Sequence, residues 1–328
     1  MRRQRGGGWG GAALLAAGLV LAGVAVGSLG PWPGELPAGV PAPGAAPAPE
    51  SPPPEPPPPP PVPDSAAVSW TPDPVVQGTV FQVRLAPARG ALAGAAGTFA
   101  GEPLHFRPAA GGELVALAAV PVDAEGTGEL ALEIDYGTET GSRTLAVPVV
   151  AGDYRMERLT VAPEFGRPQP PEIRERISAE SARAMGVSRR SHDTARMWDG
   201  PFTPPRGTRI TSGFGHGRVF NGQVQSRHMG TDFGGEVGEP VLAPARGIVA
   251  LVDAFYLGGN VVYLDHGDGL VTAYLHLSEQ EVAEGEVVEP GQVIGRVGAT
   301  GRVTGPHLHW IVRYGVITVD GTSLLGLE

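Results

Sequence analysis

The sequence predicts a chain dominated by β-strands, in which one helix connects two β-rich regions. From Ala66 onward, apolar and polar residues alternate over short runs, which is the pattern of half-buried strands. Glycine and proline, with 50 and 35 of the 328 residues, separate these runs as turn residues. The clearest helical pattern follows Pro170 and Pro171.

Composition excludes several classes of function. The chain has no cysteine, so disulfides, thiolate nucleophiles and cysteine-based zinc sites are absent. Every basic residue is arginine, which excludes Schiff-base chemistry, a P-loop lysine and the lysine that a biotinyl or lipoyl carrier needs. The net charge of −10 argues against nucleic acid as a partner.

Residues 1–30 have the composition of an export signal. Arg2, Arg3 and Arg5 precede an apolar stretch with no charged residue between Gly10 and Gly30. The stretch is long enough for either a secretory signal peptide or an N-terminal membrane anchor. We expect an exported protein of the periplasm or cell envelope, which is secreted or, if this segment is uncleaved, anchored in the inner membrane.

Residues 31–65 predict a Pro-rich disordered linker. Six consecutive prolines, Pro56 to Pro61, favour the extended polyproline II conformation and remove backbone donors. At ~3.1 Å per residue, such a segment reaches roughly 100 Å. A spacer of this length suits a catalytic domain that works far from a bilayer.

Residues 66–152 predict a small β-sandwich domain of immunoglobulin-like type. The alternation is clearest at Phe81, Val83 and Leu85 and at Leu130, Leu132, Ile134 and Tyr136. The region shows no catalytic constellation. Its only histidine, His105, predicts a surface or core position.

Residues 153–199 predict a helical linker. The helix begins at Pro170-Pro171, and Gly186 is its expected end. The arginine-rich stretch from Arg189 to Arg196 predicts a solvated face. His192, within this stretch, is not expected to bind metal.

Residues 200–328 contain the groups that can bind a metal. Successive side chains of a strand point to opposite faces, so His307 and His309 share one face about 7 Å apart. His228 and Asp232, four residues apart, also share a face. Imidazole and carboxylate suit zinc, and three protein ligands with an open fourth position are the catalytic pattern. By the same alternation, His276 ends its strand on the face of Tyr274. Spacing alone does not choose between His307 and His309 as the ligand.

These residues together resemble the lysostaphin-type zinc endopeptidases, peptidase family M23. The resemblance covers roughly residues 202–320 and lies in the segments Ser212-Gly213-Phe214-Gly215, His228-Met229-Gly230-Thr231-Asp232, Tyr274-Leu275-His276-Leu277-Ser278 and Gly305-Pro306-His307-Leu308-His309. It implies a small antiparallel β-sheet peptidase domain with an open groove, related to biotinyl/lipoyl-like hairpins. One departure is Ile311, where many members have glutamate beside the last ligand.

The resemblance also implies residue roles and a substrate. His228, Asp232 and His309 would bind one zinc ion, and His276 and His307 would be the catalytic histidines. The expected activity is hydrolysis of the peptide cross-links of peptidoglycan, with stem peptides as the binding partners. Which bond is cut, a D,D-cross-link or a glycine bridge, stays open, as do any partners among wall-synthesis or division proteins.

Two other functions are alternatives to hydrolysis. A non-hydrolytic, wall-binding activator of other hydrolases is the alternative, although all three ligand positions are filled. A carrier domain is suggested by the segment from Glu284 to Gln292, which resembles a hairpin of biotinyl or lipoyl carriers, but a chain without lysine cannot fill that role. For the remaining groups we expect a structural role for His266, no ligand role for His216, and solvated loop positions for Arg302 and Thr304.

Overall fold

The computed structural model of the chain describes residues 66–88, 90–325 and 327. These residues belong to one compact unit. The predicted export segment and Pro-rich linker lie outside the described residues. In the part of the chain that is described, no helix has both the length and the apolar character needed to cross a bilayer.

Within the described residues, ten strands precede the long helix, and most of them form two facing sheets. They are β1 (Ala66–Thr71), β2 (Val75–Val76), β3 (Val80–Pro87), β4 (Gly94–Phe99), β5 (Glu102–Pro103), β6 (Arg107–Pro108), β7 (Leu114–Ala119), β8 (Thr127–Asp135), β9 (Thr140–Val150) and β10 (Met156–Leu159). One sheet has the order β1-β3-β7-β6 and the other β2-β9-β8-β4-β5.

The predicted alternation determines which side chains fill the space between these two sheets. Phe81, Val83 and Leu85 of β3 and Leu130 and Ile134 of β8 are buried in one apolar core. The intervening residues of these strands are more exposed, as a sandwich with one buried face per sheet requires. We refer to residues 66–150 as the sandwich.

The predicted helix forms, but it does not end at Gly186. Helix α1 spans Pro171–Arg190, with Pro171 in its first turn as expected. Its buried residues include Ala184 and Val187, which pack against the C-terminal sheet. This burial on both sides of Gly186 outweighs the ~1 kcal/mol by which glycine disfavours a helix interior, so the helix continues.

The C-terminal part is built from thirteen further strands and a short helix. They are β11 (Ile210–Ser212), β12 (Gly217–Phe220), β13 (Val224–Arg227), β14 (Thr231–Gly234), β15 (Pro240–Leu242), β16 (Gly247–Phe255), β17 (Gly259–Gly267), β18 (Leu270–Leu277), β19 (Glu279–Gln280), β20 (Val287–Val288), β21 (Val293–Arg296), β22 (His307–Tyr314), β23 (Ile317–Val319) and α2 (Gly321–Leu324). The all-β-dominated fold class is thereby confirmed.

An eight-stranded antiparallel sheet organises these elements. Its order is β11-β14-β22-β18-β17-β16-β20, with β23 beside β22. One face carries Leu308, Trp310 and Tyr274 into the largest apolar core. The other face carries Ile311 and Leu275, which pack with the buried residues of α1. His307 and His309 alternate with Leu308 and Trp310, so they lie on the second face, with Ile311.

The sandwich contacts the C-terminal part through a mixture of apolar and polar groups. Val80 and Ala119 of the sandwich join the core of the large sheet. The Tyr314 hydroxyl donates to the Pro103 carbonyl at 2.7 Å. Glu102, His105, Arg107, His192 and Asp268 form a polar group at this contact, which we call the contact cluster.

The contact cluster corrects the expectation of a solvated face in the linker. His192 lies between the Glu102 carboxylate and the His105 ring, each 2.8 Å away, and its side chain is mostly buried. The adjacent Ser191 is fully buried and donates to Asp265. The stretch after Arg190 is therefore not a solvated face, because it packs where sandwich and sheet meet. His105 lies at the same contact.

Candidate metal centre

Strand pairing places Asp232 and His309 side by side. Strands β14 and β22 are antiparallel neighbours, and Asp232 pairs directly with His309. Residues directly opposite each other on neighbouring strands point to the same face, with Cβ atoms ~4.5–5.5 Å apart. Ser212 of β11 pairs with Asp232 from the other side.

His228 reaches this pair from the turn between β13 and β14. Its Nδ1 donates to the Gly213 carbonyl at 2.6 Å, which fixes the ring and leaves Nε2 as the free acceptor. That Nε2 lies 3.0 Å from Asp232 Oδ1 and 3.0 Å from His309 Nδ1. His228 and Asp232, which the sequence predicted on one face, thus have their side chains in contact.

The three groups have the geometry of a metal-binding set. His309 Nδ1 and Asp232 Oδ1 are 2.7 Å apart, so all three separations lie between 2.7 and 3.0 Å. Tetrahedral ligands at ~2.0–2.1 Å from zinc are roughly 3.3 Å apart, so small side-chain movements accommodate the ion. Only 2%, 5% and 9% of His228, Asp232 and His309 are exposed. Two imidazoles and a carboxylate therefore fit zinc in both chemistry and geometry.

Gly230, which lies between His228 and Asp232 in the chain, makes room for His309. A Cβ on Gly230 would lie 2.6 Å from Cε1 of His309 and equally close to the Trp310 carbonyl oxygen. Real side chains do not approach so closely. Because Gly230 has no side chain, β22 can bring His309 close to His228 and Asp232.

The buried position of the set alters its titration in the metal-free protein. Burial alone would raise the pKa of Asp232, but the adjacent His228 and His309 rings hold that pKa well below its usual range. Burial lowers the pKa of His309 to about 4, although the Asp232 carboxylate opposes the change. Both groups thereby favour the deprotonated forms that bind metal.

His276 lies beside this set because of an irregularity in β18. Tyr274 and Leu277 face the large core and Leu275 faces the helix side, so the alternation gains an extra residue at His276. The pairing of β17 with β18 shifts at this point, and His276 has a φ of 66°. The prediction that His276 shares the face of Tyr274 is therefore wrong. A β-bulge turns its ring toward His307 and His309, with centroids 5.0 and 5.7 Å away.

His276 and His307 present the same nitrogen to the site. Nδ1 of His276 donates to the Thr300 carbonyl, and Nδ1 of His307 donates to the Gly305 carbonyl, both at 2.8 Å. Each Nε2 is then a free acceptor, and that of His307 lies 3.7 Å from Asp232 Oδ1. Burial, followed by the nearby His309 and His307, lowers the pKa of His276 well below its usual value. With Nδ1 occupied, each ring can accept a proton at Nε2.

A second layer of polar groups holds the Asp232 carboxylate. Arg218 of β12 donates to Asp232 Oδ2 at 2.6 Å and to Ser212 Oγ at 2.8 Å. Glu157 accepts from Arg218 Nε at 3.0 Å and also contacts His216. Glu157 belongs to β10, which pairs in parallel with β12. The predicted helical linker thus contains a strand that supports the centre, and no motif in the sequence indicated it.

The centre lies in a groove of about 470 Å³. His276 and His307 line it together with Glu157, Phe220 and Arg302. Its lining begins at Glu157 in the chain, so within the described residues the sandwich does not line it. The groove leaves room for an extended substrate beside the metal-binding set.

The remaining histidines of the C-terminal part are not ligands in this geometry. His266 is fully buried, with Nδ1 on the Arg246 carbonyl and Nε2 on the Thr272 hydroxyl, so both nitrogens have partners. Burial lowers its pKa to about 4. His216 contacts Glu157 outside the set. Across the described residues, His228, Asp232 and His309 are the one group with metal-ligand convergence.

Comparison with known proteins points to one family. Residues 226–321 match the profile of peptidase family M23. The peptidoglycan DD-endopeptidase ShyC of Vibrio cholerae is 43% identical over 104 residues, which are 31% of this chain and 24% of that protein. The DD-carboxypeptidase/endopeptidase Mpg of Neisseria meningitidis is 42% identical over 117 residues, 36% of this chain and 27% of that protein. The chain thus matches about a quarter of the length of these relatives.

A solved structure extends the likeness beyond the matched residues. A crystal structure from Pseudomonas aeruginosa assigned to peptidase M23 is 27% identical, with a TM-score of 0.57. The match covers 78% of this chain and 96% of that one, so it includes residues on both sides of α1. The sequence match, the shared fold and the convergence of His228, Asp232 and His309 agree: residues 226–321 of this chain form a domain of peptidase family M23.

Proposed function

We propose that the chain is a zinc-dependent endopeptidase that hydrolyses the peptide cross-links of peptidoglycan. The observation that carries this proposal is the convergence of His228, Asp232 and His309 in an open groove, with two further imidazoles beside them. Three ligands and an accessible fourth position are the arrangement of catalytic zinc.

The residues divide the chemistry between them. Zinc held by His228, Asp232 and His309 would lower the pKa of a coordinated water and polarise the scissile carbonyl. Of His276 and His307, each held through Nδ1, one takes a proton from the water at Nε2 as general base. The other, when protonated at both nitrogens, stabilises the oxyanion and gives its Nε2 proton to the leaving amine, and exchange with solvent resets both rings. Because both rings are held in the same way, either can take either role.

The names of the relatives support the choice of substrate. ShyC is described as a peptidoglycan DD-endopeptidase and Mpg as a DD-carboxypeptidase/endopeptidase, and both match the part of the chain that holds the centre. We therefore assign D,D-cross-links between stem peptides to this groove. Residues 1–30 and 31–65 suit an exported enzyme, secreted or anchored through its N-terminal segment, that reaches the wall from the cell envelope.

The test uses purified peptidoglycan sacculi. The chain is incubated with sacculi, with and without a zinc chelator, and the released fragments are identified by mass spectrometry. We expect cross-linked dimers to become monomers, and we expect the chelator or Asp232→Ala to abolish the reaction. Asp153→Ala, which removes a carboxylate whose side chain is 85% exposed, is the matched control and should leave the rate unchanged.

Two results would overturn this assignment in different ways. Cleavage of pentaglycine but not of stem-peptide dimers would replace the substrate while keeping the zinc peptidase. Tight zinc binding and sacculus binding without any cleavage would favour the alternative, a wall-binding activator of other hydrolases. Since the sandwich does not line the groove within the described residues, its removal is not expected to be required for cleavage.

A further inference from the structure

Arg302 occupies an unusual position for a loop arginine. It lies between β21 and β22, five residues before His307, and it lines the catalytic groove. Its backbone N–H donates to the Leu257 carbonyl at 2.9 Å, which fixes the loop at this point. The expectation of a solvated loop position is wrong, because the side chain is only partly exposed and lies over an aromatic ring.

The guanidinium of Arg302 stacks on Phe220. Its central carbon lies 4.3 Å from the ring centroid, and Phe220 is itself buried. A guanidinium that stacks on a ring keeps its N–H groups directed outward in its own plane. Among the described residues, no carboxylate forms an ion pair with it.

The carboxylates of the groove are occupied elsewhere. Asp232 Oδ1 faces the two histidine ligands, and its Oδ2 accepts from Arg218. Glu157 receives hydrogen bonds from Arg218 and Ser212 and contacts His216. The negative charges that line the groove are thus committed to the metal-binding set and its support.

The charge of Arg302 is therefore uncompensated. Burial, together with repulsion from Arg218, lowers the pKa of Arg302 to about 10, so the guanidinium is still charged at neutral pH. In a protein with a net charge of −10, a partly buried cation without a partner requires a physical reason. An anionic group that arrives with the substrate would supply the missing charge.

We propose that Arg302 forms a subsite for a free carboxylate of the peptide substrate, near the bond that is cut. This inference rests on the proposed function and adds a substrate class to it, namely acidic peptides. The planar guanidinium on Phe220 presents paired N–H donors, which match the two oxygens of a carboxylate. Stem peptides of peptidoglycan bear free carboxylates, whereas a glycine bridge has none on its side chains.

The experiment compares acid and amide forms of one substrate. Cross-linked stem-peptide dimers are prepared with free carboxylates and with the same groups converted to carboxamides. Binding is measured calorimetrically with the zinc-loaded His307→Ala chain, and kcat/KM is measured with the wild-type chain. Arg302→Gln and Arg302→Lys are made in both backgrounds. Arg189→Gln, which removes an exposed charge at the end of α1, is the matched control.

The expected result is a selective loss. The acid form should bind the wild-type groove about 10–100-fold more tightly than the amide form, as for one charge-assisted hydrogen-bonded pair. Arg302→Gln should remove this preference, Arg302→Lys should retain part of it, and Arg189→Gln should retain all of it. Zinc content should be equal in every variant.

Different failures identify different errors. Equal binding of acid and amide by the wild-type chain, or an equal loss for both in Arg302→Gln, would overturn the subsite and leave the peptidase intact. Failure of the zinc-loaded wild-type chain to bind or cleave either form would overturn the proposed function, and this inference with it.

Discussion

Within the described residues, two groups each combine at least two histidines with carboxylates, and only one of these groups has the geometry of a metal centre. The metal-binding set is His228, Asp232 and His309, whereas the contact cluster includes Glu102, His105, His192 and Asp268. Both are largely buried, and both contain hydrogen-bonded imidazoles. Their residue types alone do not distinguish them.

The clusters differ in where their ring nitrogens point. In the contact cluster, His192 uses Nδ1 for His105 and Nε2 for Glu102, so the polar atoms follow one another in a chain. In the metal-binding set, one atom of each residue approaches the same point. Convergence of donor atoms, which depends on strand register and ring tethers, therefore separates a centre from a structural contact.

The largest expected difference between the clusters is in zinc binding. His309→Ala removes one of three ligands, so zinc affinity should fall by more than the ~10–100-fold typical of residues that only support a ligand. His192→Ala changes a histidine of the contact cluster and should leave zinc affinity unchanged. Competition with a chromophoric chelator measures both. Zinc loss in His192→Ala equal to that in His309→Ala would contradict the distinction.

The histidines beside the set should separate binding from catalysis. His276→Ala and His307→Ala should each retain one zinc per chain, because neither belongs to the converging set. Their kcat should fall by about 10²–10⁴-fold, the usual contribution of a general acid or base. Steady-state rates and metal analysis on the same samples check this. Loss of zinc in His307→Ala would instead make His307 a ligand.

The position of His309 was predictable from the sequence, but that of His276 was not. The period of two correctly placed His307 and His309 on one face, since β22 is regular at these residues. The same rule put His276 on the wrong face, because it assumes no inserted residue. The bulge at Leu275-His276 depends on how β18 pairs with β17. The local alternation of residues in β18 does not show how the two strands pair.

The contribution of Glu157 was also beyond sequence reasoning. Its segment showed no motif, and the parallel pairing of β10 with β12 joins residues about sixty positions apart. His105 likewise looked isolated, because its partner His192 is far along the chain. The strands, helix α1 and the metal-binding motifs follow from local pattern, resemblance and residue chemistry, whereas supporting contacts follow from tertiary packing.

An intermediate loss of zinc affinity is expected when Glu157, which supports the centre through Arg218, is changed. Glu157→Gln weakens the hold on Arg218, which donates to Asp232, so zinc affinity should fall by about 10–100-fold. Glu281→Gln, which removes the carboxylate paired with Arg296 on the surface, is the matched control. Chelator competition again provides the measurement. Equal affinities in the two variants would show that Glu157 has no influence on the centre.

The contact cluster should respond in stability rather than in metal binding. Glu102→Ala leaves the Val316 N–H and the His192 ring without their carboxylate partner. The free energy of unfolding should fall by about 1–3 kcal/mol, the usual effect of leaving buried polar groups unsatisfied. Urea titration measures it, with exposed Glu133→Ala as the control. A change in zinc affinity without a change in stability would contradict the assignment.

The smallest effect expected is a pH dependence at the same contact. Burial lowers the pKa of His105 below its ordinary 6.5, Asp268 opposes the change, and His192 and Arg107 add to it. The neutral ring thus contributes stability that is fully present above pH 6.5 and is lost as the pH falls through the folded-state pKa.

His105→Gln tests this dependence, because glutamine can still donate to His192 but does not titrate between these pH values. Unfolding midpoints of the two chains are compared at neutral pH and below His105's ordinary pKa, with chelator present so that zinc release does not contribute. The midpoint of wild type should fall more than that of His105→Gln. Parallel curves would show that His105 does not carry the acid sensitivity of the contact.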